Sequence, residues 1–323
     1  MILPPSDWSA DVYDTMTRLV IDTDPGIDDA LALLLALGSS DCSLEAIATV
    51  AGNVPLPFAT RNARRVLAVA APARPPIVAP GAARPLVRDL TTAVRHHGGD
   101  GLGDVFPAEP TDAVGRAAAE QGPDGPDTIL QMARRFGGML TIAAIGPLTN
   151  IALALERDPH ALSRIRRLVV MGGAVGVGGN VTPAAEFNMH VDPDAAERVL
   201  AAGLPVELIP LDVTQRVILR RSVLERALER APRPLAEFVA VFTRFAFRVE
   251  EAAGERGMPL HDPLAVGVAL DPSFVELEPM RLRIGPGGET QREAGSPNCR
   301  VAVAVDADRF LPWFLERLCR ASS

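Results

Sequence analysis

Short apolar runs of strand length alternate with longer runs of helical period from the start of the chain to about residue 210. The strand-like runs fall at 19–22, 44–50, 77–79, 140–145, 168–171 and 206–209. They are rich in Val, Ile, Leu and Ala and carry almost no polar interruption, as strands buried on both faces do. Between them, 28–37, 59–70, 127–136, 148–156 and 194–202 read as helices. This alternation predicts right-handed βαβ units on a doubly wound, mostly parallel sheet, the α/β class. Beyond about residue 210 the pattern changes. A helical subregion extends to about 270, 280–284 and 300–305 form a strand pair around the Gly-Pro-rich stretch 285–298, and 309–320 closes the chain as a helix. No linker or internal repeat interrupts 18–323, so a single domain is expected behind an N-terminal extension of 1–17. The Pro- and Gly-rich stretch 81–125 is long enough to be a binding loop or lid.

The polar residues that break this pattern collect at the expected carboxyl ends of strands. The first strand runs into Asp22-Thr23-Asp24-Pro25-Gly26-Ile27-Asp28-Asp29, the second into Ala51-Gly52-Asn53, the fourth into Gly146-Pro147-Leu148-Thr149-Asn150 and the fifth into Met171-Gly172-Gly173-Ala174. Ligands bind open α/β sheets in the crevice outside the strand carboxyl ends. Four aspartates on one strand-to-helix turn raise one another's pKa. The adjoining helix N-terminus offsets part of that repulsion, and a hard divalent cation, Ca²⁺ or Mg²⁺, would offset the rest. Asn180 to Asn188 forms a polar loop suited to hydroxyl groups, and His261-Asp262-Pro263 adds an imidazole and another carboxylate. Each has a plainer reading: Asp28, Asp29 and Asp262 as helix caps, His261 as a structural histidine, and Phe242, Phe245 and Phe247 as core. Asp158-Pro159 and Asp192-Pro193 read as caps or turns.

Composition removes several classes of function. The chain has 323 residues and is 48% hydrophobic, enough for a large core. A net charge of −8 argues against nucleic acid and anionic membranes as partners. All 32 basic residues are arginine, which excludes mechanisms that need a lysine, including that of haloacid-dehalogenase-type phosphatases despite their shared Asp-x-Asp turn. The three cysteines, Cys42, Cys299 and Cys319, form no CxxC pair and fit a reducing, cytoplasmic compartment. The first seventeen residues lack an apolar stretch, so no secretory leader is expected, and no run is long and apolar enough to span a bilayer.

Residues 22–30, Asp-Thr-Asp-Pro-Gly-Ile-Asp-Asp-Ala, resemble the N-terminal signature of the inosine-uridine-preferring nucleoside hydrolases. The blocks at 50–53, 146–150, 171–174, 185–188 and 261–265 resemble later motifs of that family in order and spacing. The resemblance implies a nucleoside hydrolase fold, one bound Ca²⁺, a homodimer or homotetramer, and hydrolysis of ribonucleosides to ribose and free base. It implies that Asp24, Asp29 and Asp262 ligate Ca²⁺ by side chain and Ile145 by its backbone carbonyl. Asp28 would contact the ribose hydroxyls and could also touch the metal. Asn53, Asn180, Glu186 and Asn188, with Phe187 in the same block, would bind substrate, and His97 falls at the family's loop histidine with His96 as competitor. Asp22 would hold the turn without entering the chemistry.

On the same resemblance Asp24 is the base for a metal-bound water, the transition state is oxocarbenium-like, and His261 assists the departing base. One departure stands out. Many members carry tyrosines on the helix before the His-Asp pair, whereas the only tyrosine here is Tyr13. Phe245 and Val249 fall at the corresponding positions and imply a more apolar base pocket. The alternative to an enzyme is a nucleoside- or ribose-binding protein that keeps the metal site without turnover.

Overall fold

The computed structural model describes residues 16–106 and 122–321. Its central sheet has nine strands, in the spatial order β10 (Thr290–Glu293), β9 (Val275–Ile284), β11 (Cys299–Val305), β6 (Val206–Ile209), β5 (Arg167–Met171), β4 (Leu140–Ala144), β1 (Thr17–Thr23), β2 (Cys42–Thr49) and β3 (Ile77–Pro80). The first six in chain order, β1 to β6, are contiguous in the sheet. All pair in parallel. Chain order reverses between β1 and β4, which makes the gap beside β1 the topological switch point of a doubly wound sheet.

Strand alternation separates two apolar layers. Leu19 and Ile21 of β1, Ile47 of β2 and Val169 of β5 face one layer. Val20, Ala46, Ala48, Leu168 and Val170 face the other. On the first face pack α1 (Ile27–Leu37), α2 (Leu56–Ala70), α12 (His261–Leu270) and α13 (Ala307–Leu318). On the second pack α4 (Gly125–Phe136), α5 (Thr149–Arg157) and α8 (Pro193–Ala201). The helix α1 is apolar nearly all round because it is covered on every side; Leu31, Leu33, Leu34 and Leu35 are all fully buried. Asp158 and Asp192 are caps, accepting from Ala161 N and Ala195 N. Asp192 also takes a hydrogen bond from Thr149 Oγ1 at 2.7 Å, so that cap ties two helices together.

The C-terminal part extends what the pattern suggested. The strands β9 (Val275–Ile284) and β11 (Cys299–Val305) pair antiparallel, and β11 docks in parallel on β6, so the pair prolongs the main sheet. Inside the Gly-Pro-rich stretch, β10 (Thr290–Glu293) forms a hairpin with β9. Only Thr290 of its four residues is buried, which leaves no apolar alternation to read. The helical subregion comprises α9 (Leu211–Thr214), α10 (Arg221–Leu228) and α11 (Arg233–Ala252), with a two-residue pair of β7 (Ile218–Leu219) and β8 (Met258–Pro259). The stretch 81–125 carries a short helix, α3 (Val94–His97); residues 107–121, Tyr13 and most of the N-terminal extension lie outside the described residues.

Candidate active site

The turn after β1 is shaped by close approaches. A Cβ on Gly52 would collide with Asp24 Oδ2, and one on Gly146 would come within 2.7 Å of Asp24 Oδ1. Glycine at both positions lets the ends of β2 and β4 close on the Asp24 carboxylate from either side. Asn53 N donates to Asp24 Oδ2 at 2.6 Å, and Asn53 Nδ2 donates to Asp29 Oδ2 at 3.0 Å. Asp29 also accepts from Thr23 Oγ1 at 2.6 Å and from Gly26 N at 2.9 Å, so it caps α1 as well as joining the cluster. Asp22 faces away from it. Its Oδ1 accepts from Asn150 Nδ2 at 2.7 Å, and Asn150 Oδ1 in turn holds Ala82 N.

Asp28, Asp29 and Asp262 place oxygens within 4.8 Å of one another. Asp262 is not the cap of α12. Leu260 holds that place, and Asp262 sits within the first turn, where helix packing carries it to the end of β1. Asp24 adjoins the trio: its N–H donates to Asp29 Oδ1 at 3.3 Å, and its buried Oδ1 has no hydrogen-bond partner among the described residues. Burial, followed by repulsion from Asp29, pushes the Asp24 carboxyl well above the usual carboxylate range. Burial and then Asp28, Asp29 and Asp24 do the same to Asp262. Asp28 is pushed up to about 6, chiefly by burial. Clustered buried oxygens that resist ionisation, one of them unsatisfied, fit a hard divalent cation. Ile145 lines the same cavity as Asp28 and Asp262, and its carbonyl accepts from Asn188 Nδ2 at 3.0 Å; the same amide reaches Met171 O at 3.2 Å.

Above the carboxylates opens a cavity of about 290 Å³. Asp28, Asn53, His97, Asn180, Glu186, Phe187, Asn188, His261 and Asp262 all line it. His97 Nδ1 accepts from Ile27 N at 3.0 Å and lies 4.0 Å from Asp28 Oδ1, while the exposed His96 also borders the cavity. Burial pushes His97 down to about 4, which keeps it a neutral acceptor for that amide. Glu186 is occupied by backbone: Gly173 N, Asn188 N and Met189 N all donate to its two oxygens. Asn180 Oδ1 accepts from Phe187 N at 3.0 Å, tying the loop to the short helix α7 (Phe187–Val191). His261 Nδ1 is 2.7 Å from Thr214 Oγ1, and burial followed by the other two histidines pushes it down to about 4.

The helical wall matches expectation at Val249 and departs from it at Phe245. Ala246, Val249 and Glu250 of α11 face the cavity, together with Gln215, Met258 and Pro259. Phe245 does not line it; its Cβ packs against Gly103, and Arg248 lies over its ring. Phe242 and Phe247 are core. Gln215, Ala246, Glu250 and Met258 carried no recognisable sequence signal, since their place depends on how α11 rolls against the sheet.

A doubly wound sheet with an oxygen-rich candidate metal centre at its switch point and a small-molecule cavity above it defines a ligand-processing α/β enzyme site. Residues 19–312 match the family described as inosine-uridine preferring nucleoside hydrolase, and the chain belongs to that family. It is an N-ribosyl hydrolase acting on ribonucleosides. Among its relatives, the pyrimidine-specific ribonucleoside hydrolase RihA of Salmonella paratyphi C is 36% identical over 313 residues, covering 93% of this chain and 97% of the relative. The solved purine-preferring ribonucleoside hydrolase of Gardnerella vaginalis superposes with a TM-score of 0.86 at 32% identity, covering 95% of this chain and 99% of that one. A plant nucleoside hydrolase, PpNRh1, gives a TM-score of 0.84 at 32% identity over 94% of this chain and 99% of its own.

Proposed function

We propose that the chain hydrolyses the N-glycosidic bond of ribonucleosides in a Ca²⁺-dependent reaction, releasing ribose and free base. The observation that carries this reading is the clustered carboxylates of Asp28, Asp29 and Asp262, with Asp24 adjoining them, of which Asp28 and Asp262 reach the cavity. Asp24, Asp29, Asp262 and the Ile145 carbonyl are the ligands we assign, and the position of Asp28 among the clustered oxygens supports its joining them. When bound, Ca²⁺ supplies a hard Lewis acid that orients vicinal ribose hydroxyls and makes a water more acidic.

Asp24 takes the proton of the attacking water, a role its unsatisfied Oδ1 supports. Asp28, Asn53, Asn180 and Asn188 orient the ribose, with Glu186 holding Asn188 in place through its backbone N–H. Ionised carboxylates around the ring stabilise an oxocarbenium-like transition state. His261 assists the leaving base. Its Nδ1 is 2.7 Å from Thr214 Oγ1, and in the tautomer in which Nδ1 accepts from that hydroxyl, Nε2–H is the donor available to the base. Burial, followed by His97 and His96, pushes His261 down to about 4, so the imidazole is neutral before substrate enters. His97 and Phe187 border the substrate from the loops.

The three free cysteines support a reducing, cytoplasmic location, with nucleoside salvage as the metabolic setting. No helix of the described residues is long and apolar enough to cross a membrane. The deciding experiment assays reducing sugar from a panel of purine and pyrimidine ribonucleosides, with chelator and after restoring Ca²⁺ or Mg²⁺. Release that chelator abolishes and Ca²⁺ restores is expected. Tight nucleoside binding with no release over hours would instead establish a binding protein.

A further inference from the structure

The cavity has two unlike ends. Its floor is the carboxylate group with Asn53, Ile145 and Asn188, which the proposed reading fills with metal and ribose. The base then lies within the rest of the lining, where His96, His97 and Phe187 form one side and Gln215, Ala246, Val249, Glu250, Met258 and His261 form another wall. That wall is apolar apart from His261, the amide of Gln215 and the carboxylate of Glu250. Among the described residues no hydrogen bond or ion pair holds the Glu250 carboxylate, and no arginine lines the cavity. Burial, the neighbouring Glu255 and Asp28 all press on its charge.

A carboxylate in such a place has acceptor capacity that no described residue of the protein uses. It repels base edges that present carbonyl oxygens or ring-nitrogen lone pairs, and it favours edges that present N–H groups. A carboxylate accepts most strongly from two adjacent donors, one to each oxygen. Among the common bases only guanine offers this, through N1–H and the 2-amino group. Hypoxanthine keeps N1–H and lacks the second donor. Uracil sets its single N–H between two carbonyls, and adenine and cytosine set their amino group beside a ring-nitrogen acceptor.

We infer that Glu250 is the base-reading residue of this enzyme and selects ribonucleosides whose base presents the paired N–H edge of guanine. This rests on the hydrolase reading for the position of the ribose. Glu250 is half-buried beside Val249 and Met258, so its carboxylate is only partly screened by solvent and its charge-assisted hydrogen bonds to a base keep part of their strength. Loss of one such bond to a charged partner corresponds to roughly 10–100-fold in kcat/KM.

The test compares kcat/KM for guanosine, inosine, adenosine, cytidine and uridine in the wild type and in Glu250→Gln, which keeps the side chain's size. Guanosine is expected to lead inosine by about tenfold or more in the wild type, with the ratio falling to within about threefold in the variant. Preference for any of the other four nucleosides in the wild type overturns the inference. So does an equal loss on guanosine and inosine in the variant, which would make Glu250 catalytic or structural. Calorimetric binding of guanosine and inosine to both proteins separates the two readings. If no nucleoside is hydrolysed, the hydrolase mechanism fails. A guanosine binding preference that Glu250→Gln removes would still support the inference, and equal binding would overturn it.

Discussion

Asp24 shows how much a single side chain can be constrained by its neighbours' smallness. Gly52 and Gly146 leave room for its carboxylate and little else, and Asn53 N fixes one oxygen. Replacing Asp24 with Asn keeps the shape and removes the proposed base. Turnover is expected to fall by roughly 10²–10⁴-fold, the span for loss of a positioned general base, with circular dichroism unchanged. A wild-type rate in that variant would remove Asp24 from the mechanism. His261 makes a finer prediction. His261→Ala should slow inosine by roughly 10²–10⁴-fold and spare an activated aryl riboside, whose leaving group needs no proton. Equal losses on both would disprove the leaving-group role. At this scale the motifs were legible because they are local in sequence. Asp29 turned out to serve as both cap and cluster member, a double use that residue type alone does not reveal.

Among the elements, strands and helices of the parallel sheet were legible because burial on both faces leaves continuous apolar runs. Phe245 shows the limit. The sequence reading put it on the cavity face of its helix, whereas Ala246, Val249 and Glu250 occupy that face. The hydrophobic pattern marks a helix as amphipathic but does not separate a core-facing aromatic from a cavity-facing one a step of about 100° away. Helix α4 offers a test of local stability. Asp124 caps it by accepting from Asp127 N at 2.9 Å and also pairs with Arg157 at 2.7 Å. Asp124→Ala is expected to cost about 1 kcal/mol, a shift of roughly 2 °C in Tm. The Arg157 guanidinium holds the Asp124 carboxyl below its usual range. Because the folded-state pKa is depressed, the stabilisation is present above the unfolded value and lost as pH falls through the folded one. The Tm difference between wild type and variant should therefore hold steady from pH 8 to 5 and narrow only below about pH 4. A difference that widened on acidification would contradict the pairing.

The whole molecule brings Asp262 to Asp29 across 233 positions of chain, the difference between 262 and 29. Because the same apolar layer joins Leu19 near one end to Leu318 near the other, residues 18–323 are expected to unfold in a single calorimetric transition. Two resolved transitions would divide the proposed domain. Ca²⁺ should stabilise that unit, since it binds only where the carboxylates are gathered. At a free concentration 100 times its Kd the gain is about 2.7 kcal/mol, or roughly 4 °C in Tm. No Tm change on adding Ca²⁺ after chelation would argue against the assigned site. Light scattering decides between the homodimer and homotetramer implied by the family; a monomer would refute both.

The sequence by itself determined the βαβ alternation, the polar clusters at strand ends and the family, because each depends on residues close together in the chain. It also marked the aspartate turn as a place where charge demands a partner. Tertiary structure alone decided which carboxylates share one space and which helix face borders the cavity. It also joined the C-terminal strands to the main sheet and left the Glu250 carboxylate without a hydrogen-bond or ion-pair partner among the described residues. Those outcomes depend on the packing angles of α11 and α12 against the sheet, and such angles are properties of surfaces in contact that no local pattern encodes.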